Sequence, residues 1–227
     1  LALDHAIKAG ADWVAVSYVR TAEDLKPARD AIRSAGLHTP IIAKIEHPAA
    51  LENLDSILDA ADGVMVARGD LGVEIPMEQV PLAQQQIIDA ALTRGMVAIV
   101  ATQMLESMTL APRPTRAEVS DVSTAIRHGG TAVMLSGETA SGNYPIASVE
   151  TMVKIAEATE DGLTSTGLIP GGPSRFRATR AVAHAGVELA KMSGAKHIVV
   201  ATRHGNAPRL VSGYRPDVLV TAVTDRI

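Results

Sequence analysis

The 227 residues carry 21 Lys and Arg against 25 Asp and Glu, a net charge of −4, and the basic residues are scattered, so neither a nucleic-acid nor a membrane footprint is present. Hydrophobic residues make up 47% of the chain, enough to fill a sizeable core, which excludes disorder as a description of the whole. The absence of cysteine excludes a disulfide framework, a thiolate nucleophile and a zinc-thiolate site, and fits a reducing compartment, with the cytoplasm as the default.

The chain opens inside what reads as a helix, Leu3 to Ala9, and closes at Ile227 just after a strand-like run, so both ends read as cut. Apolar runs of strand length follow at Val14–Ser17, Ile41–Ile45, Val64–Ala67, Ala98–Ala101 and Ala132–Leu135. The stretches between them have helix length. Thr21 with Asp24 and Thr115 with Glu118 have capping-box spacing, Pro48 and Pro81 suit a first helical turn, and Gly36, Gly95 and Gly129 sit where a helix stops.

Such alternation, with continuous apolar strands, predicts a parallel sheet covered by helices. Every strand ends in polar residues: Ser17 and Arg20, Lys44 and Glu46, Arg68 and Asp70, Thr102 and Gln103, Ser136 and Glu138. Consecutive strands all contributing at their C-terminal ends suit a (β/α)8 barrel, whereas a doubly wound sheet gathers its ligand groups at one switch point. The expected fold class is therefore α/β, a partial TIM barrel of about five of the eight βα units.

A helix from Pro145 to near Glu160 is followed by a glycine- and proline-rich stretch, Asp161–Ser174, of interdomain character. Beyond it, Arg177–Met192 and Ala207–Ser212 read as helices, and His197–Ala201 and Val218–Val223 as strands. The expected organisation is a barrel part over 1–161, a linker over 162–173 and a truncated α/β domain over 174–227.

Lys44 and Glu46 are two residues apart in a strand, so both side chains point the same way. That pattern fits an ion pair or a barrel-layer filler as well as a catalytic pair. Asp70, at the end of the next strand, could reach the mouth occupied by Glu46, and two hard carboxylates with open positions suit Mg²⁺ or Mn²⁺. Gly69 and Gly72 let the backbone approach a ligand, although Arg68-Gly69-Asp70 alone also reads as a solvated turn. Thr102 adds a hydroxyl to the same face, as a cap, a core hydroxyl or a proton-bearing group. Met104, Leu105 and Met108 are expected to pack beneath its loop. A cation, two metal ligands and a hydroxyl around one opening suit enolate and phosphoryl chemistry.

The segments Ile42–Glu46, Met65–Pro76, Ala101–Met108, Pro112–Glu118 and Leu135–Ala140, in this order, resemble the motifs of the pyruvate kinase family, and the likeness runs from about Asp4 through Pro208–Ser212 and Tyr214–Pro216. The resemblance implies phosphoryl transfer from phosphoenolpyruvate to ADP, giving pyruvate and ATP, in a glycolytic homotetramer. Carried over by motif, Lys44 is the charge stabiliser, Glu46 and Asp70 hold Mg²⁺ or Mn²⁺, the backbone at Gly69 and Asp70 receives the substrate carboxylate, and Thr102 completes that contact near the protonated carbon. The K⁺ and most nucleotide contacts would lie outside this chain. His47 replaces a residue that is more often small and polar or basic, which should affect loop packing more than the metal. Arg203 and His204 stand where many members have a hydroxyl-rich, phosphate-cradling turn, which leaves the effector open. The alternatives are a metal-dependent aldolase or lyase of the phosphoenolpyruvate/pyruvate barrel group, and a non-catalytic remnant.

Overall fold

The computed structural model describes residues 2–163 and 177–225. In chain order the elements are α1 (Ala2–Lys8), β1 (Val14–Val16), α2 (Lys26–Ser34), β2 (Ile41–Ile45), α3 (Pro48–Glu52), α4 (Leu54–Ala60), β3 (Gly63–Ala67), α5 (Arg68–Glu74), α6 (Val80–Leu92), β4 (Val97–Ala101), α7 (Arg116–Arg127), β5 (Ala132–Met134), α8 (Gly137–Ala140), α9 (Pro145–Asp161), α10 (Arg177–Ser193), β6 (His197–Ala201), α11 (Asn206–Gly213) and β7 (Leu219–Val223). Residues 164–173 of the expected linker lie outside the described residues.

Strands β1 to β5 form one parallel sheet in chain order, with no reversal. A doubly wound sheet would place a switch point among them; this order is that of successive barrel units, and the architecture is a partial barrel. The register decides which side chains share a face. Ile41, Ala43, Ile45, Val64, Val66, Ala98 and Val100 point outward and are buried against Ile32, Ile57, Ile87, Ile88, Val122 and Ile126 of the covering helices. Ile42, Met65 and Ala101 point the other way and, with Ile99 and Met134, form a separate inner layer. Both faces being apolar explains why the strands read as continuous rather than alternating runs.

Helix boundaries follow the punctuation residues. Gly36, Gly95 and Gly129 have φ of 73°, 64° and 100°, in the left-handed region that ends helices at glycine. Pro48 and Pro81 lie at the starts of α3 and α6, where a missing N–H costs nothing. The Thr115/Glu118 capping box opens α7, whereas the Thr21/Asp24 box opens a single 3₁₀ turn, Ala22–Leu25, that leads into α2. Strands β1 and β5 end one residue earlier than expected, because their ladders stop at Val16 opposite Ala43 and Met134 opposite Ala101. Two short helices are unforeseen: α8, and α5, in which the Arg68-Gly69-Asp70 stretch is the first turn of a helix rather than a loop.

The second unit is small. Strands β6 and β7 pair in parallel, and α10 and α11 cover one face through Ala183, Val187, Leu210, Val211 and Tyr214, the last stacked on His184 at 5.0 Å. It docks against the N-terminal end of the larger sheet. Arg215 donates from Nη1 to Ile126 O and from Nη2 to Gly130 O, both at 2.8 Å, which satisfies carbonyls at the end of α7 and in the turn before β5. Leu210 lies so close to Gly95 that a β-carbon there would approach it to 2.9 Å. A cavity of about 1030 Å³ separates the two units and is lined by residues that include Asp89, Arg127, His128 and Arg209. It holds none of Lys44, Glu46, Gly69, Asp70 or Thr102, and lies at the opposite end of the strands from them.

Candidate active site

The C-terminal ends of β2, β3 and β4 adjoin because the three strands are neighbours, with Ile45 opposite Val66 and Ala67 opposite Ala101. Lys44 and Glu46 leave β2 toward the inner side, and Lys44 Nζ lies 2.5 Å from Glu46 Oε1. The lysine also donates to Ser17 Oγ at 3.1 Å, across from the end of β1. Glu46 is buried, and its second oxygen accepts from Tyr18 N–H at 2.6 Å. Tyr18 adopts φ of 56°, a left-handed conformation that costs a non-glycine residue about 1–3 kcal/mol. The bond to Glu46 is one interaction that holds it there. The carboxylate therefore sits between a cation and a backbone donor, each from a different strand end.

The second cluster centres on Thr102. Gly69 N–H donates to Thr102 Oγ1 at 2.7 Å, which ties the start of α5 to the residue after β4. Thr102 and Gln103 have φ of 69° and 54°, two consecutive non-glycine residues in the left-handed region. Arg68, itself buried, holds them: Nε and Nη2 donate to Thr102 O at 3.3 and 2.9 Å, and Nη2 also reaches Gln103 O at 3.1 Å. Its Nη1 is bound to Asp121 on α7. Met104, Leu105 and Met108 are fully buried beneath the loop. Asp70 is exposed one residue beyond Gly69, and its carboxylate makes no hydrogen bond or ion pair among the described residues.

The structure thus joins Lys44, Glu46 and Ser17 in one group and Gly69, Thr102 and Arg68 in another on the neighbouring strand ends. Among the described residues no group of three or more His, Asp or Glu side chains gathers as a metal site. Glu46 and Asp70 follow neighbouring strands, the first buried and already bound to Lys44 and Tyr18 N–H, the second exposed, and carboxylate oxygens are the donor type a hard divalent ion takes. His47, the sequence departure beside Glu46, caps α3 by accepting Ala49 N–H at Nδ1, a packing role away from the carboxylate. In the second unit Thr202 Oγ1 accepts Gly205 N–H at 3.0 Å, while Arg203 and His204 are exposed.

Sequence reasoning did not find three supports of this site. Arg68 and Glu138 stand at strand ends and inside the motif segments Met65–Pro76 and Leu135–Ala140 but carry no role there, and Asp121 lies in no motif. Glu118 was legible as a capping residue, but its reach was not. One oxygen accepts Ser107 N–H at 2.7 Å, and the other accepts the Ser107 and Thr115 hydroxyls and Thr115 N–H at 2.6, 2.9 and 2.7 Å.

Parallel strands in chain order, with Lys44, Glu46 and Thr102 at neighbouring C-terminal ends, define a β/α-barrel domain of enzyme type. Residues 2–149 match the family described as pyruvate kinase, barrel domain, and residues 180–227 match pyruvate kinase, alpha/beta domain; the chain belongs to the pyruvate kinase family. It is 44% identical over 223 residues to pyruvate kinase 2 of Synechocystis sp., covering 96% of this chain and 36% of that protein. It is 46% identical over 225 residues to the pyruvate kinase of Geobacillus stearothermophilus, at 96% and 38% coverage. Against pyruvate kinase 1 of Saccharomyces cerevisiae it is 44% identical over 229 residues, at 98% and 45%. The chain therefore spans well under half the length of these relatives, and nothing in the matches supports the lyase or remnant alternatives.

Burial raises the Glu118 carboxyl, but the hydrogen bonds from Ser107 and Thr115 outweigh it and hold the group below its ordinary value of 4.5. A depressed carboxyl stabilises the fold above its unfolded value and loses that contribution as pH falls through the folded value. Glu118→Gln should therefore lower the melting temperature at neutral pH and narrow the gap to the parent as pH falls below the ordinary value of 4.5 and through the folded one, as thermal unfolding across pH will measure.

Proposed function

We propose that this chain is the part of a pyruvate kinase that holds phosphoenolpyruvate and its divalent ion, within an enzyme that transfers the phosphoryl group to ADP to give pyruvate and ATP. The observation that carries this reading is the Lys44–Glu46 pair, a cation and a buried carboxylate 2.5 Å apart at the inner mouth, beside the Thr102 turn. Phosphoryl transfer asks chiefly for positioning and charge neutralisation, and this mouth offers both.

Glu46 and Asp70 would hold Mg²⁺ or Mn²⁺, which when bound neutralises charge on the substrate oxygens. Lys44 would stabilise the charge that develops on the transferring phosphoryl and the enolate oxygen. The substrate carboxylate would take the N–H groups of Gly69 and Asp70. Gly69 N–H is now accepted by Thr102 Oγ1, so the incoming carboxylate would replace that hydroxyl as acceptor and leave Thr102 free to donate. K⁺ and most of the ADP contacts belong to segments beyond this chain, and the longer protein would be a cytoplasmic homotetramer. Residues 1–161, 162–173 and 174–227 would be barrel part, linker and α/β domain.

The metal assignment is tested in the longest natural polypeptide that carries these residues. Glu46→Ala or Asp70→Ala should weaken Mn²⁺ binding severely in a titration; unchanged affinity would make the two carboxylates structural. Lys44→Met should retain the metal while turnover falls by about 10²–10³, since a charge stabiliser acts on the transition state more than on the ground state. Near-parental kcat would leave Lys44 as no more than the ion-pair partner of Glu46.

Residues 1–227 expressed alone should form no pyruvate from phosphoenolpyruvate and ADP and should self-associate. In the described sheet β1 and β5 each have one unpaired edge, and Val199, Leu219 and Val223 are exposed on the open face of β6 and β7. A monomeric, cooperatively unfolding, active product in sedimentation and coupled assays would refute this.

A further inference from the structure

Glu138 is a buried carboxylate with no role in the chemistry assigned above. It lies on α8, is 1% exposed, and makes no ion pair among the described residues. An unpaired buried charge is costly and persists where its hydrogen bonds are needed. Glu138 has two: Oε1 accepts Leu105 N–H at 3.0 Å and Oε2 accepts Ser136 N–H at 2.8 Å. The backbone ladder between β4 and β5 stops at Ala101 opposite Met134. Beyond that point the carboxylate joins the two chain segments in place of main-chain bonds.

What it joins is the turn that carries Thr102. Two consecutive residues there occupy left-handed conformations, which last only when the surroundings over-determine them. Arg68 grips the carbonyls of Thr102 and Gln103, and Glu138 grips the amide of Leu105, so buried groups of opposite charge fix the turn from both ends. Glutamine cannot replace Glu138 fully, because its NH₂ would face one of the two N–H donors.

We propose that Glu138 is a positioning residue, which fixes the Thr102 turn against the end of β5 and thereby sets Thr102 Oγ1 relative to Gly69. The kinetic arm of its test rests on the phosphoryl-transfer reading; the exchange arm does not. Glu138→Gln and Glu138→Asp are prepared in the longest natural polypeptide that carries this chain. Expected are faster hydrogen exchange at the Leu105 and Ser136 amides and retained Mn²⁺ binding. The kcat should fall roughly 10- to 100-fold, with the Michaelis constant for phosphoenolpyruvate and the shape of the pH profile kept. Glu138→Asp keeps the charge but shortens the reach, and should show the same kinetic split if Glu138→Gln does not fold.

A lowered melting temperature with parental kcat would make Glu138 merely structural and overturn the proposal. Loss of one limb of the pH profile would overturn it too, by making Glu138 a proton carrier. If the parent lacks phosphoryl transfer, the proposed function fails, and unchanged exchange at Leu105 in the variants would then separately sink the positioning role.

Discussion

The buried guanidinium of Arg68 is the interaction on which the candidate site depends. It leaves the end of β3, accounts for the carbonyls of Thr102 and Gln103 beyond β4, and pairs with Asp121 on α7, so three elements meet on one side chain. Removing the guanidinium would take the donor from both carbonyls, and a hydrogen bond from a charged group is typically worth about 1.5–3 kcal/mol. A planar fork with five donors can satisfy two carbonyls and a carboxylate together, which a lysine ammonium at the same place could not do in that geometry. The left-handed turn at Thr102 follows from this grip rather than from local preference.

The parts of this arrangement that were legible in the sequence are those fixed by periodicity. Lys44 and Glu46 share a face because strands repeat every two residues, and the parallel order followed from apolar runs separated by helix-length segments. Asp70 and Thr102 could be assigned to the same face because both close a run. The conversion of Arg68–Glu74 into a helix was not legible, since two glycines in seven residues signal a turn. What overrides them is packing: Leu71 is fully buried, and a β-carbon on Gly72 would come within 2.9 Å of Met77 Sδ. Arg68, Asp121 and Glu138 were illegible for a related reason: the partners that tie them to the Thr102 turn or to each other lie 33 to 53 residues away and are in part main-chain atoms.

The positive-φ residues at the mouth belong to the same logic. Tyr18, Thr102 and Gln103 each pay a conformational cost, and each contacts a buried charge, Glu46 in the first case and Arg68 in the others. The charges are expensive to bury and the conformations expensive to adopt, yet each makes the other tolerable. A mouth built this way has its backbone conformation held by buried charges rather than by a ligand, the arrangement that electrostatic preorganisation requires.

Helix α7 ties this mouth to the far end of the sheet. Glu118 and Asp121 on it hold the Ser107 loop and Arg68 at the end with the candidate site, while the carbonyl of Ile126, one residue before its C-terminus, receives Arg215 from the second unit. A twelve-residue helix is about 18 Å long, enough to run from one end of the sheet to the other. The second unit adds Leu210 against Gly95 and Arg180 toward Thr93 O at the same end. Helix α7 thus touches both ends, the Ser107 loop and Arg68 at one and Arg215 of the second unit at the other.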